Sequence, residues 1–420
     1  MAQTIAIIGL GRVGLPLALA FTQAGFLVEG IDTSEELVAM LLKKQMPFME
    51  EGTPALLEKS VGVTFFPSSD ASRVQKCRAT ILTLGTPVDE HMNPVFSQIE
   101  SAVTAIVPYL RAGHLIVLRS TVSPGTTEYL GRFLKRHTSF QIGTDLFLAF
   151  CPERIAQGQS LEEIPGIPQI VGGLDPESTR QACDLFGHVT RRILPTDARS
   201  AELAKLFCNM YRYIDFAIAN EFMMIAHQYD RDIHEIVELV NRDYKRGGLK
   251  RPGLTAGPCL YKDGFFLVNK TPFNELISSA WKIHEAVPAY LIEEIKQMKQ
   301  LEGAKVAILG LAYKKNIDDP RNSLSFKAKK IFLAEGADVH LHDPFLPCEA
   351  LEDVLAQADI VFLAVNHDSY RTLCPHMAAL VKDDALICDI WNLFGTGKII
   401  YSLADRRTER HEPECSNTRV

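Results

Sequence analysis

Short apolar runs alternate with stretches of helical spacing from the first residues of the chain. TIAIIGLG (4–11) passes directly into GLGRVGLPLALAFTQAG (9–25), where Leu15, Leu17, Leu19, Ala20 and Phe21 continue the pattern as a helix that Gly25 closes. FLVEGID (26–32) follows as a second strand and ends at an acid, Asp32. Further strands are predicted in RATILTLGTP, HLIVLRST and DLFLAFCPER, with helical segments between them. Apolar strands that alternate with helices predict a parallel sheet covered on both faces.

The same order returns late in the chain. KVAILGLA (305–312) repeats TIAIIGLG, GADVHLHD (336–343) repeats GFLVEGID, and ADIVFLAVNH (358–367) repeats ATILTLGTP. The interval from helix-ending glycine to acidic strand end is also the same, from Gly25 to Asp32 and from Gly336 to Asp343. Between the halves lies a segment without proline or glycine (200–229), read as one long helix with Ser200 as its N-cap. A second long helix is predicted from Pro288 to Gly303. The expected fold is α/β, with two doubly wound Rossmann-like domains joined by a long central helical segment. The expected boundaries are 1–198, 199–301 and 302–420, with a disordered polar tail from about Thr408.

Composition narrows the function classes. Hydrophobic residues make up 47% and charged residues 23% of 420, which is ordinary for a soluble globular protein. A net charge of −7 without a Lys/Arg-rich run argues against nucleic acid as the main partner. No apolar stretch approaches the length of a membrane span, and residues 1–10 read as a strand rather than a signal peptide. Nine scattered cysteines without CxxC spacing fit a reducing cytoplasm and give no zinc signature.

Gly9-Leu-Gly11-Arg-Val13-Gly14 follows a strand and opens a helix, and Asp32 closes the next strand. In that setting the glycines permit a tight turn and close approach of a pyrophosphate, which sits at the helix N-terminus. Asp32 would accept hydrogen bonds from the ribose hydroxyls and repel a 2′-phosphate, so the expected cofactor is NAD rather than NADP. Ser120-Thr121 and Glu153 stand at the carboxyl ends of strands, where ligands of open sheets bind; turn formation and helix capping are the plain alternative. Lys205 and Asn209 share a helix face with Glu202, either as a solvated charged stripe or as groups aimed into a cleft. Cys259, in GLTAGPCLYKD, reads either as a small buried hydrophobe or as a nucleophile. Beside a nicotinamide, a thiol has a specific use: it adds to an aldehyde, and the adduct is oxidised to a thioester.

Together these motifs resemble the nucleotide-sugar 6-dehydrogenases, the UDP-glucose, UDP-N-acetylhexosamine and GDP-mannose dehydrogenase family. The resemblance runs in order from residue 1 to about 400 through GLGRVGLPLA, GTP, RSTVSPGTT, CPERIAQG, AELAKLFCN, NE at 220–221, GPCLYKD and GLAYKKNIDDPRNS. It implies oxidation of a sugar C6 alcohol to the acid with two NAD⁺ in succession and no metal, commonly in polysaccharide precursor synthesis. By resemblance Cys259 is the nucleophile, Lys205 stabilises the oxyanion with Asn209 assisting, and Asp263 activates the thiol or a water. Thr121 and Glu153 orient water and shuttle protons. Thr86, Thr121 and Arg321 contact the cofactor, while Arg154 and Lys314 contact the nucleotide sugar. Arg246, with Arg242 as rival, matches an arginine that crosses a dimer interface to the sugar. This chain departs from the common pattern in Ala256-Gly257-Pro258 before the cysteine, and in Gln157, where many members carry a second glutamate. PER followed by glycine is closer to the 2-acetamido sugar members, so the expected substrate is a UDP-N-acetylhexosamine. A two-electron hydroxyacid-type dehydrogenase and a non-catalytic dinucleotide-binding protein are the competing readings.

Overall fold

The computed structural model describes residues 3–90, 94–268 and 273–404, so the expected tail lies outside the described residues. The chain folds as two compact units, Met1–Asn209 with Lys262–Phe273, and Met210–Tyr261 with Asn274–Val420. The expected central segment is therefore divided between the two.

Among the described residues, the first unit holds an eight-stranded sheet. Its strands are β1 (Thr4–Ile8), β2 (Leu27–Ile31), β3 (Phe65–Ser68), β4 (Ala79–Leu82), β5 (His114–Leu118), β6 (Leu146–Phe150), β7 (Gln169–Gly173) and β8 (Ile193–Asp197). Their spatial order is β3-β2-β1-β4-β5-β6-β7-β8. Alternation along β1 explains the two covered faces. Ile5 and Ile7 join one apolar core with the helix Gly14–Gln23, while Ala6 and Ile8 join the other. β1 and β4 are parallel neighbours, and the order in which strands are added across the sheet switches direction between them, which is where such sheets bind ligands. One part of the expected parallel sheet is corrected: β7 runs antiparallel to β6, with Phe150 opposite Gly172. The same run of apolar residues suits either direction, and this reversal brings Gln169 to the end of the sheet where Glu153 stands.

The second unit repeats the plan on a smaller scale. Its strands β9 (Lys305–Leu309), β10 (Asp338–His342), β11 (Ile360–Leu363), β12 (Leu386–Cys388) and β13 (Ile400–Ser402) lie in the order β10-β9-β11-β12-β13. Again Val306 and Ile308 face one core, Ala307 and Leu309 the other.

Two helix boundaries differ from expectation. The long helix spans Ala198–Gln228, and its cap is Asp197 rather than Ser200. The Asp197 carboxylate accepts the Ser200 N–H at 2.9 Å and its hydroxyl at 2.6 Å, so Ser200 sits inside the first turn. The second long helix spans Glu275–Met298 and carries Pro288 in its interior instead of starting there. No helix among the described residues is long and apolar enough to cross a membrane.

Candidate active site

The dinucleotide turn separates its glycines by function. Gly9 has φ +93°, its amide donates to the Ile31 carbonyl at 2.8 Å, and a Cβ there would stand 2.9 Å from the Thr83 carbonyl oxygen. A Cβ on Gly14 would meet the Gly9 carbonyl oxygen at 1.8 Å. Both positions are closed by the protein itself, through close strand–helix packing. Gly11 is different: no described atom outside its immediate neighbours lies within 4 Å of a Cβ there. This is the point where a diphosphate can reach the backbone. Asp32 is fixed beside the turn, its two oxygens accepting the Leu10 N–H at 2.7 Å and the Ser34 N–H at 2.9 Å. Each oxygen keeps a lone pair for a ribose hydroxyl, so the residues present fit NAD. Val13 is the N-cap residue of the helix that follows.

The equivalent turn in the second unit keeps the geometry and loses the vacancy. Gly310 has φ +93° and donates to the His342 carbonyl at 2.8 Å. Asp343, however, accepts from the amides of Leu311, Ala312 and Phe345 and lies 3.2 Å from His367 Nε2. With four donors around it, this acid secures its own loop.

In the first unit, Lys205, Asn209 and Asp263 are buried together. Asn209 Nδ2 donates to Asp263 Oδ2 at 2.6 Å, and Lys262 Nζ stands 3.8 Å from Oδ1. Burial raises the Asp263 carboxyl above its ordinary value, against the charges of Lys262 and Lys205 and the Asn209 hydrogen bond. Lys205 forms no hydrogen bond or ion pair among the described residues, although its charge acts on Asp263. Burying an ammonium costs on the order of several kcal/mol, so a solvated Lys–Glu stripe does not describe this face. Glu202 turns elsewhere: it accepts the amides of Gly125 and Thr127 and the Thr127 hydroxyl, capping the helix Thr126–His137.

Thr86, the expected cofactor contact, is held by Lys262, whose Nζ donates to its carbonyl oxygen at 2.6 Å and its hydroxyl oxygen at 2.9 Å. Lys262 was not among the expected site residues, although it stands in the quoted LYKD. Thr121 is buried at the end of β5. Glu153 is buried as well, paired with Arg119 through one oxygen and accepting the amides of Arg154 and Ile155 at 2.7 and 2.9 Å through the other. It caps its own loop rather than a helix. Arg154 donates to the Pro168 carbonyl. Arg119 also reaches the Cys151 carbonyl and Gln169, and Gln169 donates to the Pro152 carbonyl. The two buried residues Arg119 and Gln169 thus cradle the Pro-Glu-Arg corner.

Cys259 belongs to the second unit, is exposed, and immediately precedes the single-turn helix Leu260–Asp263. The nearby glycines make room for the protein's own aromatic rings. Gly257 has φ +114° and a Cβ there would lie 2.7 Å from the Tyr313 ring; a Cβ on Gly253 would lie 2.1 Å from the Trp391 ring. Asn220, hidden in the quoted NE, takes both backbone groups of Gly253. Arg321 is bonded twice to Asp319, at 2.8 and 2.7 Å, which with the charge of Cys259 raises its guanidinium further. Lys314 is half-buried in the same loop, while Arg246 lies over the Tyr244 ring and Arg242 is 4.0 Å from Glu238.

The UDP-glucose/GDP-mannose dehydrogenase family matches in three parts: its NAD binding domain over residues 3–190, its central domain over 199–287 and its UDP binding domain over 307–396. The UDP-N-acetyl-D-mannosamine dehydrogenase of Methanocaldococcus jannaschii is 30% identical, across 92% of each chain. The NDP-N-acetyl-D-galactosaminuronic acid dehydrogenase of Ralstonia solanacearum is also 30% identical, across 88% of this chain and 92% of that one. The solved UDP-D-ManNAc dehydrogenase of Pyrococcus horikoshii superposes with a TM-score of 0.86 at 29% identity, covering 90% of this chain and 93% of the other. The chain belongs to the UDP-glucose/GDP-mannose dehydrogenase family and is an NAD-dependent nucleotide-sugar dehydrogenase.

Proposed function

We propose that this enzyme oxidises the C6 alcohol of a UDP-N-acetylhexosamine to the uronic acid, with Cys259 as the covalent nucleophile. The observation that carries the reading is the buried trio Lys205, Asn209 and Asp263, whose aspartate ends the helical turn that Cys259 precedes. Gly9, Gly11, Val13, Gly14 and Asp32 would hold NAD, with Thr86, Thr121 and Arg321 assigned to it as well. When bound, NAD accepts a hydride in each of the two oxidations. The Cys259 sulfur adds to the C6 aldehyde, forming a C–S bond; oxidation of that adduct gives a thioester, and water cleaves it to the acid and returns the thiol. Lys205 stabilises the negative oxygen in the addition and hydrolysis steps, an effect of about 3–4 kcal/mol for a well-placed donor. Asp263, kept protonatable by burial and held by Asn209, takes up and returns the proton. Thr121 and Glu153 orient the water; Glu153 is already bonded through both oxygens and acts by placement. Arg154, Lys314 and Arg246 bind the nucleotide sugar.

The acetamido sugar is favoured by the PERIAQG corner and by the names of the relatives. Initial rates with UDP-N-acetylmannosamine, its gluco and galacto epimers, and UDP-glucose test it. At least one acetamido sugar should exceed UDP-glucose in kcat/KM by about tenfold or more. UDP-glucose as the best substrate would contradict the assignment.

The working form is proposed to be a homodimer. On the second-unit part of the long helix, Tyr211, Ile218, Phe222 and Ile225 lie exposed at helical spacing, and Tyr229 follows just past its end. Tyr211 and Tyr229 are 70% and 73% exposed, too apolar a stripe for a free helix face. Light scattering should give a dimer, and Phe222→Glu with Ile225→Glu should give a monomer. A wild-type monomer at micromolar concentration would sink the proposal.

A further inference from the structure

A buried polar chain grips the loop that ends in Cys259, and no step of the chemistry above uses it. Asn220 lies in the long helix with no exposed surface. Its Oδ1 accepts the Gly253 N–H at 2.9 Å, and its Nδ2 donates to the Gly253 carbonyl at 3.0 Å. One side chain thus satisfies both backbone groups of one loop residue, as a neighbouring strand would. The other Nδ2 hydrogen faces His284 Nδ1 at 3.2 Å, and His284 Nε2 lies 2.8 Å from the Tyr213 carbonyl oxygen. A carbonyl only accepts, so Nε2 carries the hydrogen and Nδ1 accepts. The network closes with neutral imidazole and one tautomer. Gly253 has no freedom to shift toward Trp391, whose ring leaves no space for a Cβ and whose Nε1 is tied to the Leu363 carbonyl at 3.2 Å. Farther along, the Gly257 amide donates to the Asn322 carbonyl at 3.4 Å.

Apolar side chains would fill this space with less desolvation; a fully satisfied polar network instead specifies one geometry. We propose that Asn220 and His284 are positioning residues that set the register of residues 253–259 and so aim the Cys259 thiol. This rests on Cys259 being the nucleophile, as proposed above.

The groups facing the His284 ring are Tyr213, tilted against it with ring centroids 4.2 Å apart, and Asn220 from the long helix, with Glu285 beside it on its own helix. Glu285 is paired with Lys327. Burial pushes the imidazole down to about 4, so it stays neutral in the wild type. Asn220→Asp keeps the shape but puts an acceptor where the amide donated, facing both the Gly253 carbonyl and His284 Nδ1. The new side chain still accepts the Gly253 N–H but offers a lone pair to His284 Nδ1, and that bond forms only when His284 gains a proton.

The test measures kcat and KM across pH for wild type, Asn220→Ala and Asn220→Asp, with hydrogen exchange of the 253–259 backbone. Asn220→Ala should lose about 100-fold in kcat, the cost of a small misplacement, with KM for NAD and sugar little changed. Exchange at Gly253 should quicken in the same variant. Asn220→Asp should recover part of its kcat as the pH falls from about 8 to about 6, the range of imidazole titration, while wild type does not. A folded Asn220→Ala with quickened exchange and unchanged kcat would overturn the proposal. So would a loss carried by KM, or an Asn220→Asp profile that parallels wild type. Should Asn220→Ala not fold, the isosteric Asn220→Asp decides alone. Activity retained by Cys259→Ser would instead remove the nucleophile reading, a separate outcome from these.

Discussion

Cys259→Ser lowers the rate of uronic acid formation by at least about 10³-fold, while NAD binding stays at the wild-type level. A thiol is a few per cent ionised at neutral pH, whereas a serine hydroxyl needs a strong base beside it. The substitution exchanges sulfur for the smaller oxygen on the same Cβ, and the glycines before residue 259 pack against the Trp391 and Tyr313 rings. Steady-state NADH formation with a fluorescence titration of NAD checks both halves of the expectation. A two-electron dehydrogenase would keep its rate in this variant, and that outcome would discard the covalent mechanism.

The second large effect separates activity from stability at one residue. Asp263→Asn should lower kcat by about 10²-fold or more, because the amide cannot take up a proton. The same change should make the protein more stable at neutral pH. Burial raises the Asp263 carboxyl in the folded state, so the folded protein binds this proton more tightly than the unfolded chain does. Its ionisation therefore costs stability as pH rises from the ordinary carboxylate value through the folded one, and the full cost remains above that. An amide has no such cost and can still accept the Asn209 hydrogen bond through its oxygen. The gain in melting temperature should be larger at about pH 8 than at about pH 4, where the native carboxyl is already protonated. A variant that loses stability equally at both values would mean that Asp263 is structural.

The apolar runs were enough to locate β1, β2, β4, β5, β6, β9 and β11, because each is largely buried on both faces, whereas the half-exposed β10 was legible from its repeat of β2. They did not reveal β8, ILPTD, whose residues are mostly exposed at the sheet edge, nor β3, FFPS, which contains a proline. Strand direction is invisible in a two-sided apolar run, hence the unexpected reversal at β7. In the same way Ser200 looked like a cap because Asp197 reads as the end of a strand, which it also is.

The candidate site divides along the same line. Lys205 and Asn209 could be grouped from their spacing, but only the fold shows that the lysine is buried and that Glu202 caps a different helix. Contacts across many residues left no trace in the sequence. Asn220 meets Gly253 33 positions later, and Lys262 meets Thr86 across 176. Their side chains are common types whose usual place is the surface, so spacing alone does not single them out. The repeat of the dinucleotide turn was legible as a pattern, yet the different use of Asp32 and Asp343 depends on His367, which no local motif connects to either.

The central claim is the four-electron oxidation through Cys259, and the yield of NADH per nucleotide sugar at completion tests it most directly. Two NADH should form for each UDP-N-acetylhexosamine consumed, with the uronic acid as product. A yield of one, with an aldehyde or ketone as product, would contradict it.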